Sequence, residues 1–284
     1  MGAIAERLAT AGFRLGHVHT VVVTHSHPDH FGGAGRLAEE AGARIVAHAD
    51  FAVPWLAATE PDVAVLDDDF LRRQTPWSDT PLELAGEQRA AAAAFLRDGG
   101  FPPPRPTHRV EQGERIELGG RRWVALHTPG HTVDHLCLYD PDAGVLLTGD
   151  HVLPSITPHV AGLGAGPDAL SDYLASLDEV APLPVELALP AHGHPFTDVV
   201  GRVAAIRDHH RRRLDELRRI GAALGPAPVE EFARQLFTPD HWGLMAESET
   251  YAHLEHLRLA GEAVTDVEGG RLRFRIRDGA APTG

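Results

Sequence analysis

The stretch VVVTHSHPDHFGGAG, residues 21–35, joins an apolar, β-branched run to a group of three histidines and one aspartate. The segment HTVVVTH predicts a buried strand, and FGGAGRLAEEAG predicts a turn and then a helix that ends at Gly42. A second strand, ARIVAH, is predicted next. This order of elements is a βαβ unit, whose functional loop normally lies at the carboxyl end of the first strand. The histidines occupy that loop.

The loop HSHPDH, residues 25–30, contains residue types that bind transition metals. The side chains of His25 and His27 lie on one side of an extended segment, whereas Asp29 and His30 follow a proline. A single buried histidine is usually structural. Three histidines and an aspartate buried without partners would carry a large desolvation cost, so this loop predicts a metal site. Imidazole and carboxylate suit zinc, manganese or iron, and the loop holds no thiolate that would select among them.

Three later segments each offer one more ligand at a predicted strand end. They are HTPGHT with His131, LLTGD with Asp150 and LPAHG with His192. Taken in chain order, the motifs THSHPDH, TPGHT, TGD and PAHG resemble those of the metallo-β-lactamase superfamily of hydrolases. The resemblance covers roughly residues 17–200.

This resemblance implies an α/β fold, an αββα sandwich with two divalent metal ions at the mouth between its sheets. His25, His27 and His131 would hold the first ion. Asp29, His30 and His192 would hold the second, and Asp150 would bridge the two. Zinc is the expected metal, with manganese or iron as alternatives. Histidine at position 192 and aspartate at position 150 are similar to the glyoxalase II-like branch, which differs from the antibiotic-degrading enzymes.

The same ligand set implies a mechanism in which a metal-bridging hydroxide attacks the substrate. Two ions that share a water lower its pKa and polarise the carbonyl or phosphoryl oxygen under attack. Asp29 and Asp150 are the expected catalytic residues, which orient the nucleophile and accept its proton. A covalent hydrolase is not favoured, because the sequence has no G-x-S-x-G motif and its one cysteine, Cys137, lies in a predicted strand.

Composition favours a small substrate. The chain has 284 residues and a formal net charge of -14, which disfavours nucleic acid as a default partner without excluding it. No apolar run approaches the roughly 20 residues that a membrane span requires. The amino-terminal segment lacks the apolar core of a signal peptide, so we expect a cytoplasmic protein with no membrane partner.

The chain is predicted to form two domains. Residues 1–200 form the catalytic domain, in which residues 51–110 are a helical insert that acts as a lid or as a peripheral decoration. Residues 201–284, three predicted helices and a hairpin, resemble the winged-helix module appended to the β-lactamase-like protein 2 type. The predicted recognition helix carries Glu247, Glu249 and Glu255 against Arg258, which favours a cap or a homodimer contact over DNA reading. The hairpin still offers a basic strip: Arg271, Arg273, Arg275 and Arg277.

Only 24 residues precede His25, whereas the superfamily normally has several strands before this motif. We therefore expect the first sheet to lack amino-terminal strands, and hypothesise that the sequence begins at an internal start. The favoured function is dinuclear metal-dependent hydrolysis of a small thioester, ester or lactone. The alternative is a metal-dependent endoribonuclease of the same superfamily. Of the other histidines, His127 is expected to support the site or end a strand, and His151 and His194 to contact substrate or solvent.

Overall fold

The computed structural model describes residues 2–53, 75–78, 104–162 and 167–277. A three-stranded parallel sheet is formed by β1 (Thr20–Val22), β2 (Arg44–His48) and β3 (His108–Val110), in that order. The α-helices before and between β1 and β2 are α1 (Gly2–Thr10), α2 (Pro28–Phe31) and α3 (Ala34–Ala41). Gly42 ends α3 with a left-handed φ of 68°, a conformation that glycine adopts without strain. The predicted βαβ unit is therefore confirmed.

A second sheet has five strands in the order in which they occur along the chain. They are β4 (Arg115–Leu118), β5 (Arg121–His127), β6 (Leu136–Asp140), β7 (Val145–Gly149) and β8 (Leu187–Pro190). The first four are antiparallel neighbours, so both predicted hairpins are confirmed, and β8 pairs with β7 in parallel. Helix α4 (Ala169–Val180) connects β7 to β8, with the Asp168 side chain accepting a hydrogen bond from the Ser171 amide at its start.

Alternating side chains sort the two sheets into four layers. Ile45 and Ala47 pack against α2 and α3, whereas Val46 between them packs with Leu136 and Leu138 of the second sheet. On the other face of the second sheet, apolar side chains pack against α4 and the helix that follows β8. Because successive residues of a strand point to opposite faces, each sheet buries both of its faces. The order of layers is helix, sheet, sheet, helix, as predicted.

In residues 199–277, the described C-terminal part, three α-helices, three strands and a 3-10 helix (Pro239–His241) follow β8. The α-helices and strands are α5 (Val199–Leu224), β9 (Ala227–Pro228), α6 (Val229–Leu236), α7 (Leu244–Leu259), β10 (Ala263–Glu268) and β11 (Arg271–Ile276). The three helices and the hairpin were predicted, but the two-residue strand β9, which pairs with β11, was not. Two residues beside a proline give too short a pattern to be recognised as a strand in a sequence.

The predicted insert is described only in part. Residues 54–74 and 79–103 lie outside the described residues, so its helical character stays a prediction. Its last three positions, residues 108–110, instead form β3 of the first sheet. Trp77 is fully buried in the same apolar cluster as Phe274, and its carbonyl accepts a hydrogen bond from the Leu272 amide. The segment around Trp77 therefore packs against the C-terminal hairpin.

None of the helices in the described ranges is long and apolar enough to cross a membrane.

Candidate metal centre

The first three predicted ligands converge on one point. His25 and His27 follow β1, and His131 lies in the loop between β5 and β6. The His27 Nδ1 lies 3.0 Å from the His25 Nε2 and 3.1 Å from the His131 Nε2. The structure thus brings together three imidazole nitrogens from two separate loops.

A hydrogen bond outside this group sets the tautomer of His131. Its Nδ1 lies 2.7 Å from the His159 carbonyl oxygen, which can only accept, so Nδ1 carries the proton. The neutral ring therefore turns the lone pair of its Nε2 toward His25 and His27. A ligating histidine is oriented in this way in most metal sites.

The other predicted ligands lie beside this group. The Asp29 Oδ2 is 3.3 Å from the His30 Nε2 and 3.4 Å from the His192 Nε2. The Asp150 Oδ2 is 3.3 Å from the His30 Nε2, 3.5 Å from the His192 Nε2 and 3.7 Å from the His131 Nε2. A single carboxylate oxygen thus contacts histidines of both groups. Asp29 and His192 are exposed and open the site to solvent, whereas Asp150 is buried.

Burial sets the charge state of the site. It lowers the pKa of His25 far below the usual value, with the neighbouring histidines adding to the effect. Burial also lowers the pKa of His131 to about 4, although the neighbouring Asp150 carboxylate opposes it. The pKa of Asp150 is lowered even though burial alone would raise it, because His30 and other histidines stabilise the carboxylate. At neutral pH His25 and His131 are therefore neutral and Asp150 is ionised, and these are the forms that bind metals.

This donor set fits divalent transition metals. Neutral imidazoles whose lone pairs face one another gain nothing from the contact unless a cation or a proton lies between them. The Asp150 Oδ1 is also buried without a hydrogen-bond partner in the described part of the chain. Three groups of three donor atoms, each within 4.8 Å of one another, cover all seven predicted ligands: His25, His27 and His131; His25, His30 and Asp150; Asp29, His30 and His192. Their role as ligands stays a prediction.

A buried histidine that the sequence did not single out supports Asp150. The His135 Nε2 accepts a hydrogen bond of 2.9 Å from the Asp150 amide, which requires the proton to be on Nδ1. This Nδ1 lies 2.7 Å from the Thr128 Oγ1 and donates to it. Gly149 permits the approach, because a Cβ there would lie 2.6 Å from the His135 Nε2. His135 thus holds the backbone of Asp150 in place.

The other histidines that the sequence singled out, His127, His151 and His194, are not members of these three ligand groups. His127, at the end of β5, stacks on His48 with ring centroids 3.7 Å apart and planes inclined by 12°. The in-plane lone pairs of parallel rings do not converge, so this pair is a poor metal site even though Asp50 lies nearby. His194 is exposed, as one of the two alternatives predicted. His151 is fully buried against Tyr173, so the expectation that it contacts substrate or solvent is wrong.

Comparison with known proteins assigns the family. The model of the metallo-beta-lactamase superfamily matches residues 1–192. The chain belongs to the metallo-beta-lactamase superfamily. A crystal structure of a metallo-beta-lactamase family protein from Thermus thermophilus is similar to this superfamily member with a TM-score of 0.71. The two are 31% identical, and the match covers 97% of this chain and 85% of that one.

Two curated relatives carry names that describe an activity. The probable metallo-hydrolase YqjP of Bacillus subtilis is 28% identical over 286 residues, which cover 96% of this chain and 85% of that protein. The atrochrysone carboxyl ACP thioesterase of Aspergillus chevalieri is 30% identical over 189 residues, 61% of this chain and only 58% of that protein. This member of the metallo-beta-lactamase superfamily is accordingly a hydrolase.

Proposed function

We propose that the chain is a dinuclear, zinc-dependent hydrolase of a small acyl thioester, ester or lactone. The observation that carries the proposal is the position of the Asp150 Oδ2, within 3.7 Å of His131 in one ligand group and of His30 and His192 in the other. A carboxylate shared between two groups of imidazoles is what a pair of neighbouring cations requires. Histidine at 192 and aspartate at 150 also support the glyoxalase II-like branch.

The proposed roles follow from position and burial. His25, His27 and His131 would hold one ion, Asp29, His30 and His192 the other, and Asp150 both. When bound, the two ions would polarise the carbonyl of the substrate and make water a stronger acid. Asp29 is exposed at the mouth of the site and is placed to accept the proton of an attacking water. Asp150, buried and ionised, would orient that water, while His135 keeps its backbone in place.

A small substrate is favoured over RNA by the charge on the C-terminal hairpin. In the register of this hairpin, Arg271 stands opposite Glu268 and Arg273 opposite Asp266. Half of the predicted basic strip is therefore matched by acidic neighbours, which weakens attraction for a phosphate backbone. A thioester is the first choice within the class, because a relative is named a thioesterase.

We further propose that residues 201–284 form a winged-helix-like module with a structural role, appended to the catalytic domain of residues 1–200. The order helix, strand, two helices and hairpin supports the first part of this proposal. Burial of Phe232 and Phe274 in one cluster with Tyr173 and Leu177 of α4 supports the second. A module packed so closely against the catalytic layers has little freedom to act as a separate nucleic-acid reader.

The test is hydrolysis by metal-stripped protein before and after zinc is restored, on an acyl thioester, the matching oxygen ester, a lactone and an RNA oligonucleotide. Wild-type protein is expected to cleave at least one of the first three only with zinc. Asp150→Ala should lose this activity, and Asp142→Ala should keep it, because Asp142 is exposed and bonded to Arg122 on the same sheet. Cleavage of RNA alone would replace the proposal with the endoribonuclease, and zinc-independent turnover would refute it.

A further inference from the structure

The loop after β7 connects the proposed metal centre to the C-terminal helix α7. Its residue His159 accepts the Nδ1 proton of His131 with its backbone carbonyl, at 2.7 Å. The position of that carbonyl therefore decides where the His131 lone pair points. The residues that hold His159 in place therefore also support the metal centre.

Two side chains of α7 hold the ring of His159. The Ser248 hydroxyl donates to the Met245 carbonyl at 3.0 Å, so its oxygen is free to accept from the His159 Nε2, also at 3.0 Å. On the other side of the ring, the Glu249 Oε2 lies 3.6 Å from the His159 Nδ1. Adjacent residues of one helix therefore lie beside both nitrogens of His159.

Helix α7 is itself fixed at this point. The Glu249 side chain is largely buried, and its other oxygen lies 3.7 Å from the Arg213 Nε of α5. The loop also lies directly on α7 further along: a Cβ at Gly162 would be 3.1 Å from the Ala252 Cβ. Val160, between these contacts, is fully buried in the cluster that includes Ala252. The loop is thus held on α7 by polar contacts at His159 and by close packing after it.

We propose that α7 is a positioning element of the metal centre, in which Ser248 and Glu249 hold His159 so that its carbonyl orients His131. This inference rests on the proposed role of His131 as a ligand. The proposal assigns a function to Glu249, one of the acidic residues of α7 that disfavour DNA binding: it supports the metal centre from the C-terminal part. His159, Ser248 and Glu249 are positioning residues and do not contact the ions.

The test measures zinc binding by metal-stripped, full-length protein in competition with a chromophoric chelator. Glu249→Gln and Ser248→Ala should each weaken the binding of one of two zinc ions by about 10- to 100-fold, as is typical when the partner of a ligand is lost. The other ion should bind as in the wild type. Ser248→Thr, which keeps the hydroxyl, should restore the affinity. Glu255→Gln is the matched control, because Glu255 lies on the same helix and pairs with Arg258.

A second readout needs no metal. In metal-stripped wild-type protein, nitrogen NMR should show His131 as a single Nδ1-protonated tautomer, and Glu249→Gln should convert it to a mixture. If Glu249→Gln does not fold, His159→Ala tests the same contact from the other side and should give the same loss of affinity. Unchanged zinc affinity and tautomer in folded variants would overturn the inference while leaving the proposed hydrolase intact. A loss of affinity in these variants, together with no turnover of any substrate by the zinc-loaded wild type, would refute the hydrolase and leave the inference standing.

Discussion

Replacing Gly130 with alanine tests how tightly the loop of His131 is seated on α4. Gly130 has a φ of 126°, and a Cβ there would lie 2.3 Å from the Tyr173 Cβ and 2.4 Å from the Tyr173 Cα. Tyr173 is fully buried, and its hydroxyl donates to the His151 carbonyl at 2.7 Å. Backbone atoms of a packed helix have no room to move away. The loop must therefore shift, and it takes the adjacent His131 with it.

Two effects add up in Gly130→Ala. A side chain at positive φ costs about 1–2 kcal/mol, and an extra carbon in a filled space adds about 1–3 kcal/mol. Gly113→Ala separates them, because Gly113 has a φ of 79° but no heavy atom within 4 Å of the added Cβ. We expect the free energy of unfolding to fall by about 2–5 kcal/mol in Gly130→Ala, and by about 1–2 kcal/mol in Gly113→Ala.

Urea denaturation followed by circular dichroism measures both losses, and a zinc titration of metal-stripped protein measures the consequence for the site. Gly130→Ala should bind zinc more weakly than wild type, because the Nε2 of His131 has moved. Gly113→Ala should bind it equally well, since the strain there lies away from the ligands. Equal stability and equal zinc affinity in the two variants would refute the proposed seating of the loop on α4.

Three further outcomes are expected. His135→Ala should lower the free energy of unfolding by about 2–5 kcal/mol, since it leaves a cavity and an unpaired Asp150 amide; a loss below about 1 kcal/mol in urea denaturation would contradict this. Burial lowers the pKa of His253 to about 4 and of His210 to about 2. Below pH 6.5 the unfolded chain therefore binds more protons than the folded chain. The contribution of these two histidines to stability should be complete above pH 6.5. As the pH falls toward 4, the free energy of unfolding should decrease by up to about 1.4 kcal/mol per pH unit for each histidine. Denaturation at a series of pH values checks this, and a flat profile would oppose it. Trp77→Ala should lower the free energy of unfolding by about 3–5 kcal/mol and make the C-terminal part more sensitive to protease. Unchanged cleavage would contradict the packing of Trp77 against the C-terminal hairpin.

The candidate ligands could be identified in the sequence because their signal is local. Each of His25, His131, Asp150 and His192 is a polar residue that follows an apolar run and lies beside a turn. His131, Asp150 and His192 follow β5, β7 and β8 at one edge of the second sheet, whereas His25 follows β1 of the first sheet. Local patterns therefore identified the residues, and the resemblance to the metallo-β-lactamase superfamily implied that they come together.

The supporting residues have no such signal. His135 begins the apolar strand segment HLCLYD, and its partner, the Asp150 amide, is fifteen positions away. Glu249 and His159 are 90 positions apart, and neither has a partner in the sequence that would suggest the contact. Such roles arise only when the fold places one backbone against another, which periodicity and spacing do not specify.

The two-domain division stays a prediction, and one feature of the packing could not be foreseen. A single apolar cluster contains Leu177 before residue 200 together with Phe232 and Phe274 after it. The helical pattern after residue 200 predicts a long helix but not the surface against which that helix packs. Helical periodicity identifies an apolar face and leaves its partner unspecified.

The zinc content of purified wild-type protein, measured by elemental analysis beside His131→Ala and His192→Ala, tests the dinuclear centre directly. The expected result is two zinc ions per chain in the wild type and about one in each variant, because each variant removes a ligand from a different group. Zinc that is absent from the wild type after incubation with the metal, or that is unaffected by both substitutions, would contradict it.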